Sequence, residues 1–130
     1  GEHPERHAHI DVAPFLDAPA LSKAIAESRM VICRSGYSTL MDLAALGKKA
    51  LLIPTPGQTE QEYLAEFLMG KGAFVWQDQK EIALAKGIAE VMALPEPDMS
   101  QVNTQLLERA VREFLHATAP MQKKVGLVTA

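Results

Sequence analysis

Short runs of apolar residues alternate along the chain with segments in which apolar residues recur every three or four positions. The intervening segments have the period of amphipathic helices. The short runs have the length and composition of buried strands, and they are Ile10–Val12, Met30–Cys33, Ala50–Ile53 and Ala73–Trp76. Strands that alternate with helices build a parallel sheet. The pattern therefore predicts an α/β fold with four parallel strands and helices on both faces.

Local signals indicate where the helices begin and end. Asp17 or Pro19 is placed to open the first helix. Ser35 or Ser38 is placed to cap the second helix, which Gly47 ends. A last helix is predicted from about residue 100 to residue 116.

Two of the later helices are preceded by the spacing of a capping box. In that motif a polar side chain and a glutamate three residues later satisfy backbone N–H groups at the helix start. The two spacings are Thr59-x-x-Glu62 and Asp78-x-x-Glu81. They predict that helices begin at residues 59 and 78.

The two ends of the chain, 1–9 and 117–130, show no clear period and are predicted to be flexible. The first end holds His3, His7 and His9, a spacing that suits a metal ion. Terminal histidines are more often solvated, and no carboxylate pattern supports these. We therefore expect neither a metal site nor a bound cofactor.

Composition places the chain among single-domain globular proteins. Its 130 residues are 48% apolar and 22% charged, which is enough for one core. A net charge of −3 gives no basic surface for nucleic acid, and no apolar run approaches the ~20 residues that span a bilayer. The single cysteine, Cys33, cannot form an internal disulfide, which fits a reducing cytoplasm. We interpret it as a small buried hydrophobe, because no histidine is placed to activate it.

Candidate ligand groups follow the second and third predicted strands. The carboxyl ends of parallel strands border the crevice in which such sheets bind ligands. The turn Ser35–Thr39 offers backbone N–H groups, hydroxyls and a helix N-terminus around Gly36, which suit a phosphate. Asp42 is placed to accept hydrogen bonds from a ribose diol, and Gln61 and Glu62 from sugar hydroxyls.

Structural interpretations of the same residues stay open at this point. Asp42 stands three residues after Thr39, and Glu62 three residues after Thr59, so either carboxylate could simply cap a helix. Arg34 could be a surface cation. The turn is a weak signal by itself, since many helices begin in this way.

Two motifs on successive loops give the chain a family resemblance. The first is Val31-Ile-Cys-Arg-Ser-Gly-Tyr-Ser-Thr-Leu-Met-Asp-Leu-Ala-Ala-Leu-Gly-Lys-Lys-Ala-Leu-Leu-Ile-Pro, and the second is Gln58-Thr-Glu-Gln-Glu-Tyr. Together they resemble the C-terminal domain of family 28 glycosyltransferases, and the likeness covers roughly Phe15–Trp76. Two motifs in the right order and distance are more specific than either alone.

The resemblance implies a GT-B fold, in which the second of two Rossmann-like domains binds a nucleotide-sugar donor, commonly a UDP-sugar. It also implies direct glycosyl transfer to an acceptor hydroxyl without a metal. The residues implied in nucleotide-sugar binding are Phe15, Leu16, Arg34, Ser35, Gly36, Tyr37, Ser38, Thr39, Asp42, Gln61 and Glu62.

For most of these residues, the matching position in the family implies which part of the donor the residue contacts. The backbone of the pair Phe15-Leu16 would read the uracil, and the turn Gly36–Thr39 would bind the diphosphate. Asp42 stands where the family has an acidic residue, usually Glu, that holds the ribose. Gln61 and Glu62 stand at a Gln-Gln pair that contacts the donor sugar, so the departure at Glu62 leaves the sugar open.

Two further departures concern the extent of the enzyme. The family's domain begins with a strand and a Gly-Gly-Ser-type loop, and an N-terminal domain binds the acceptor; neither is matched here. We therefore expect the second half of a donor-binding domain from a longer cytoplasmic enzyme, peripheral at the membrane face. Such a piece would hold no catalytic residue and would transfer no sugar alone.

Two other functions and one structural question stay open. The chain could be a separate donor-binding subunit that needs a partner chain, or a non-catalytic α/β interaction module. In a doubly wound sheet the strand Met30–Cys33 would have an exposed edge without its usual neighbours. We expect Ile10–Val12 to pair with that edge, or a second copy of the chain to cover it in a homodimer.

Overall fold

The computed structural model describes residues 5–7, 9–69, 71–97 and 103–125. The strands are β1 (Glu5–His7), β2 (Ile10–Val12), β3 (Met30–Cys33), β4 (Lys49–Leu52) and β5 (Phe74–Trp76). The helices are α1 (Ala18–Glu27), α2 (Tyr37–Leu46), α3 (Thr59–Leu68), α4 (Leu84–Ala93) and α5 (Asn103–Val125), with a short 3-10 helix at Gln79–Glu81.

A parallel sheet in the order β3-β4-β5 forms the centre of the molecule. Every residue of β4, the middle strand, is buried. Leu52 and Phe74 pack with Leu40 of α2 and Leu64 of α3 on one face, while on the other face Leu51 packs with Val75 and Val91. Helices therefore cover both faces, and the predicted α/β class is confirmed.

The predicted count of four parallel strands is wrong, because β2 does not join this sheet. Ile10–Val12 pairs antiparallel with Glu5–His7 and forms a separate two-stranded sheet. All residues of β2 are exposed, and Asp11 stands between its two apolar residues. A strand of that pattern cannot be buried on both faces, and a neighbouring hairpin partner needs no long crossover.

Ile10–Val12 therefore does not pair with the edge of β3, although we expected it to. Among the described residues, β3 pairs only with β4. Ile32 on this strand is 45% exposed, whereas the residues of β4 are buried. The expectation that Ile10–Val12 closes this edge is wrong, and cover by a second copy of the chain stays a prediction.

Helix ends agree with the sequence where a single residue decides them. The carboxylate of Asp17 accepts a hydrogen bond from the Ala20 N–H at 2.9 Å and caps α1. Gly47 ends α2 at φ 63°, in the left-handed region that glycine favours. Both predictions are confirmed.

The predicted hydroxyl cap and capping boxes are wrong. The cap positions of α2 and α3 are Gly36 and Gln58, and neither helix has a side-chain cap. Asp78 caps the 3-10 turn through the Lys80 N–H, and α4 begins only at Leu84. The spacing located the start of α3 at Thr59 but not its cap residue, and it did not locate the start of α4.

The ends of the chain are partly regular. Glu5–His7 is a strand, and α5 continues to Val125, beyond the predicted end at His116. Residues 1–4 and 126–130 lie outside the described part. No helix in that part is long and apolar enough to cross a membrane.

Lys49 is a buried cation at the opposite end of the sheet from the candidate ligand loops. Its side chain is 3% exposed, and its Nζ donates to the carbonyl of Leu94 at 3.2 Å and that of Met92 at 3.4 Å. Nζ also lies 3.1 Å from the exposed carboxylate of Glu96. Lys49 thus satisfies carbonyls at the end of α4 and ties that helix to β4.

Candidate functional site

The two candidate loops lie together at the carboxyl ends of β3 and β4. The Arg34 guanidinium, one residue past β3, donates to the carbonyl of Ile53 at 3.1 Å and that of Pro54 at 3.4 Å. Arg34 is exposed, as expected for a surface cation, but its guanidinium is engaged with the loop after β4. The convergence follows from the parallel register of Cys33 beside Leu52.

Ser35 and Gln61 form a second connection between these loops. Ser35 is fully buried, and its hydroxyl donates to the backbone carbonyl of Gln61 at 2.7 Å. The side-chain carbonyl of Gln61 accepts from the N–H of Thr55 at 2.8 Å. The sequence predicted ligand contacts for both residues. In the folded chain both side chains form hydrogen bonds with backbone groups of the loop and helix after β4.

The start of α2 is open. Gly36 at its cap position has extended backbone (φ −71°, ψ 144°), and no side chain caps the first turn. A Cβ placed on Gly36 would have no heavy atom within 4 Å. Ser38 is exposed, while Tyr37 is half-buried against the core. The backbone N–H groups at this end of α2 are therefore available to an anion, as the sequence predicted.

Asp42 faces a cavity and does not cap its helix. It lies in the second turn of α2, whose first turn contains no acidic residue. The capping interpretation of Asp42 is therefore wrong. The exposed side chain borders a cavity of about 370 Å³ between α1 and α2. The other lining residues are mostly apolar: Ala18, Leu21, Ser22, Ile25, Ala45 and Leu46.

Phe15 and Leu16 lie in the chain just before α1, the helix that lines one side of that cavity. Phe15 is 80% exposed and Leu16 is 41% exposed, in the loop between β2 and α1. Ala18 and Leu21, on the first turns of α1, line the cavity itself. The pair is therefore close in sequence to the cavity that Asp42 borders, but neither Phe15 nor Leu16 lines it.

Glu62 borders a second cavity, at the ends of β4 and β5. It lies in the first turn of α3 and faces a space of about 250 Å³. The remaining lining residues are Pro54, Pro56, Gly57, Glu66, Trp76, Asp78, Gln79 and Lys80. Carboxylates outnumber the single lysine in this set, so the cavity is acidic.

Sequence reasoning missed three of the residues around Glu62. Glu66 stands four residues after Glu62 on α3, a spacing that puts both carboxylates on one helix face. Asp78 was interpreted only as a cap, and Trp76 only as the end of a strand. Glu66 shares a helix face with Glu62, Trp76 ends β5, and Asp78 follows that strand. The predicted strands and helices therefore contained the signal that could have found them.

Cys33 is partly buried and packs against the hydrophobic core. Burial raises the pKa of its thiol to about 11, so the thiol is protonated near neutral pH and is a weak nucleophile. Among the described residues no group of three His, Cys, Asp or Glu side chains is placed to hold a metal ion. His3 lies outside that part of the chain.

The fold and the loops at the strand ends define a Rossmann-like α/β domain with its candidate ligand site at the sheet's carboxyl edge. The chain belongs to glycosyltransferase family 28: the model described as "Glycosyltransferase family 28 C-terminal domain" matches residues 2–117. The resemblance found in the sequence is confirmed.

The chain is also similar to curated enzymes. The chain is 33% identical over 121 residues to the UDP-N-acetylglucosamine–N-acetylmuramyl-(pentapeptide) pyrophosphoryl-undecaprenol N-acetylglucosamine transferase of Lawsonia intracellularis, covering 92% of this chain and 33% of that protein. It is 38% identical over 85 residues to the enzyme of the same name from Trichlorobacter lovleyi, covering 64% of this chain and 22% of that protein. The chain thus spans at most about a third of these relatives. No solved structure gives a significant match.

Proposed function

We propose that this chain is the donor-binding part of a glycosyltransferase and that its donor is a UDP-sugar. The observation that carries the proposal is Asp42, a carboxylate that caps nothing, borders a cavity between α1 and α2, and lies one turn after the open start of α2. Family membership supports a glycosyl donor, and the names of both relatives begin with UDP-N-acetylglucosamine. Asp42 would accept hydrogen bonds from the ribose hydroxyls.

In the proposed reaction an acceptor hydroxyl attacks the anomeric carbon of the donor sugar. A new carbon–oxygen bond forms as the bond from that carbon to the diphosphate breaks, and the electron pair leaves with UDP. The N–H groups of Tyr37, Ser38 and Thr39 would stabilise the charge on the departing diphosphate. No residue of this chain is assigned to deprotonating the acceptor, which in this proposal is bound by another domain or chain on the cytoplasmic side of the membrane.

The acidic cavity supports a choice among donor sugars. Glu62, Glu66 and Asp78 outnumber Lys80 around it, and none of these carboxylates has a salt bridge among the described side chains. A sugar that carries its own carboxylate would be repelled there. We infer that neutral or amino sugars are accepted in preference to uronic acids.

Glu62→Gln tests this choice. We expect the preference for UDP-N-acetylglucosamine over UDP-glucuronate to fall by roughly three- to tenfold, because one repelling charge is removed, while the affinity for UDP stays unchanged. Dissociation constants for the three ligands measure both effects. Glu60→Gln is the matched control, since Glu60 shares the first turn of α3 but does not line the cavity. Equal losses for all ligands would show that Glu62 serves only the helix.

The single tryptophan offers a direct test of donor binding. Trp76, the chain's one tryptophan, lines the cavity beside Glu62. Titration with UDP-N-acetylglucosamine should change its fluorescence saturably, and UDP, which lacks the sugar, should change it less. Absence of binding for both ligands, by fluorescence and by calorimetry, would contradict the proposed function and favour an interaction module.

A further inference from the structure

Two adjacent residues after β3 bind the segment that follows β4 through side-chain hydrogen bonds. Arg34 donates to the carbonyls of Ile53 and Pro54 at 3.1 and 3.4 Å. Ser35 donates to the carbonyl of Gln61 at 2.7 Å, and Gln61 in turn accepts from the Thr55 N–H at 2.8 Å. We call these contacts the loop clasp.

Ser35 is the buried member of the clasp. It is 0% exposed and, with Lys49, is one of two buried polar or charged side chains in the described chain. A buried hydroxyl must find a hydrogen-bond partner, and Ser35 takes a backbone carbonyl on the facing helix. That choice fixes the distance between two elements and does not merely fill space.

The clasp joins the two points at which the proposed donor would be held. Ser35 immediately precedes Gly36, the cap position of α2. Gln61 immediately precedes Glu62, which borders the acidic cavity. A single hydrogen bond therefore connects the backbone beside the proposed diphosphate turn to the backbone beside the proposed sugar cavity.

We propose that Ser35 is a positioning residue that holds the start of α2 and the start of α3 in the arrangement a complete nucleotide-sugar needs. This inference rests on the proposed function. A ligand that touches both helices gains from loops already held in place, since binding then costs less ordering. A ligand that touches only the start of α2 gains little from the same hydrogen bond.

The test compares Ser35→Ala with the original protein, using UDP and UDP-N-acetylglucosamine as ligands. We expect the dissociation constant for the sugar nucleotide to rise about tenfold, the usual effect of one lost buried hydrogen bond. We expect the constant for UDP to change by less than about twofold. The ratio of the two constants is the readout, because a general loss of stability would not change it.

Two further variants keep this test decisive. Ser35→Cys retains most of the side-chain volume with a weaker donor, so it should fold if Ser35→Ala does not. It should also raise the dissociation constant for the sugar nucleotide relative to that for UDP. Ser28→Ala is the matched control. The Ser28 hydroxyl also donates to a backbone carbonyl, that of Ala24 at 2.6 Å, at the opposite end of the sheet. We expect it to leave both constants unchanged.

The outcomes separate this inference from the proposed function. If the original protein binds neither ligand, the proposed function is wrong and the inference falls with it. If it binds both, and Ser35→Ala and Ser35→Cys weaken UDP and the sugar nucleotide by the same factor or not at all, then Ser35 is only structural. A selective loss for the sugar nucleotide, absent in Ser28→Ala, supports the positioning role.

Discussion

Phe74→Ala should lower the free energy of unfolding by about 3–5 kcal/mol, the range for removing a buried aromatic ring. Phe74 begins β5 and is 1% exposed, the largest of the fully buried side chains. It packs in the cluster that joins β4 to α2, α3 and α5. Removal of the ring leaves a cavity at the centre of that cluster, and the main-chain pairing with Ala50 cannot move to fill it.

Chemical denaturation followed by circular dichroism measures this loss. Phe15→Ala is the control, because it removes the same atoms from a side chain that is 80% exposed. This substitution should change the free energy of unfolding by less than about 0.5 kcal/mol. A similar effect from both substitutions would mean that Phe74 is not in the core described above.

Asp42→Asn should weaken the binding of UDP and of UDP-N-acetylglucosamine by about 1–3 kcal/mol, as expected for a carboxylate that faces two hydroxyls. The fold should be unaffected, because Asp42 is exposed and caps no helix. Isothermal titration calorimetry gives the affinities, and a thermal melt gives the stability.

Glu27→Gln removes a carboxylate charge in the same way at a distant place. Glu27 is exposed in the last turn of α1, at the end of the sheet away from the ligand loops. Its substitution should leave both affinities unchanged. An Asp42→Asn protein with normal affinity and a lowered melting temperature would return Asp42 to a structural role.

The central strand–helix–strand unit could be predicted because local signals agreed there. Met30–Cys33 and Ala50–Ile53 are apolar runs of strand length, and Gly47 can take the left-handed conformation that ends α2. In this unit the period, the turn residue and the burial all favour one structure. The predicted boundaries there agree with the structure to within a residue or two.

The first strand shows where such reasoning fails. Ile10–Val12 was correctly predicted as a strand, but its partner is set by tertiary structure. An antiparallel neighbour lay only a few residues upstream in Glu5–His7, within a segment that looked flexible by composition. Periodicity predicts that a strand exists and does not say which strand it pairs with.

The site was predictable by residue but not by contact. Asp42 and Glu62 were selected from the sequence, and each borders a cavity. Their assignment to ligand binding stays a prediction. The hydrogen bonds from the side chains of Ser35 and Gln61 to backbone groups could not be predicted. Hydrogen bonds between loops far apart in sequence depend on how the sheet brings those loops together.

The most direct measurement is an NMR titration of the isotopically labelled protein with UDP and then with UDP-N-acetylglucosamine. Both ligands should shift the amide signals of Tyr37, Ser38 and Thr39, at the open start of α2. Only the sugar nucleotide should also shift Glu62 and the indole signal of Trp76, which border the acidic cavity. Signals that stay unchanged at saturating UDP-N-acetylglucosamine, or shifts confined to the opposite end of the sheet around Lys49, would contradict a donor-binding site at these loops.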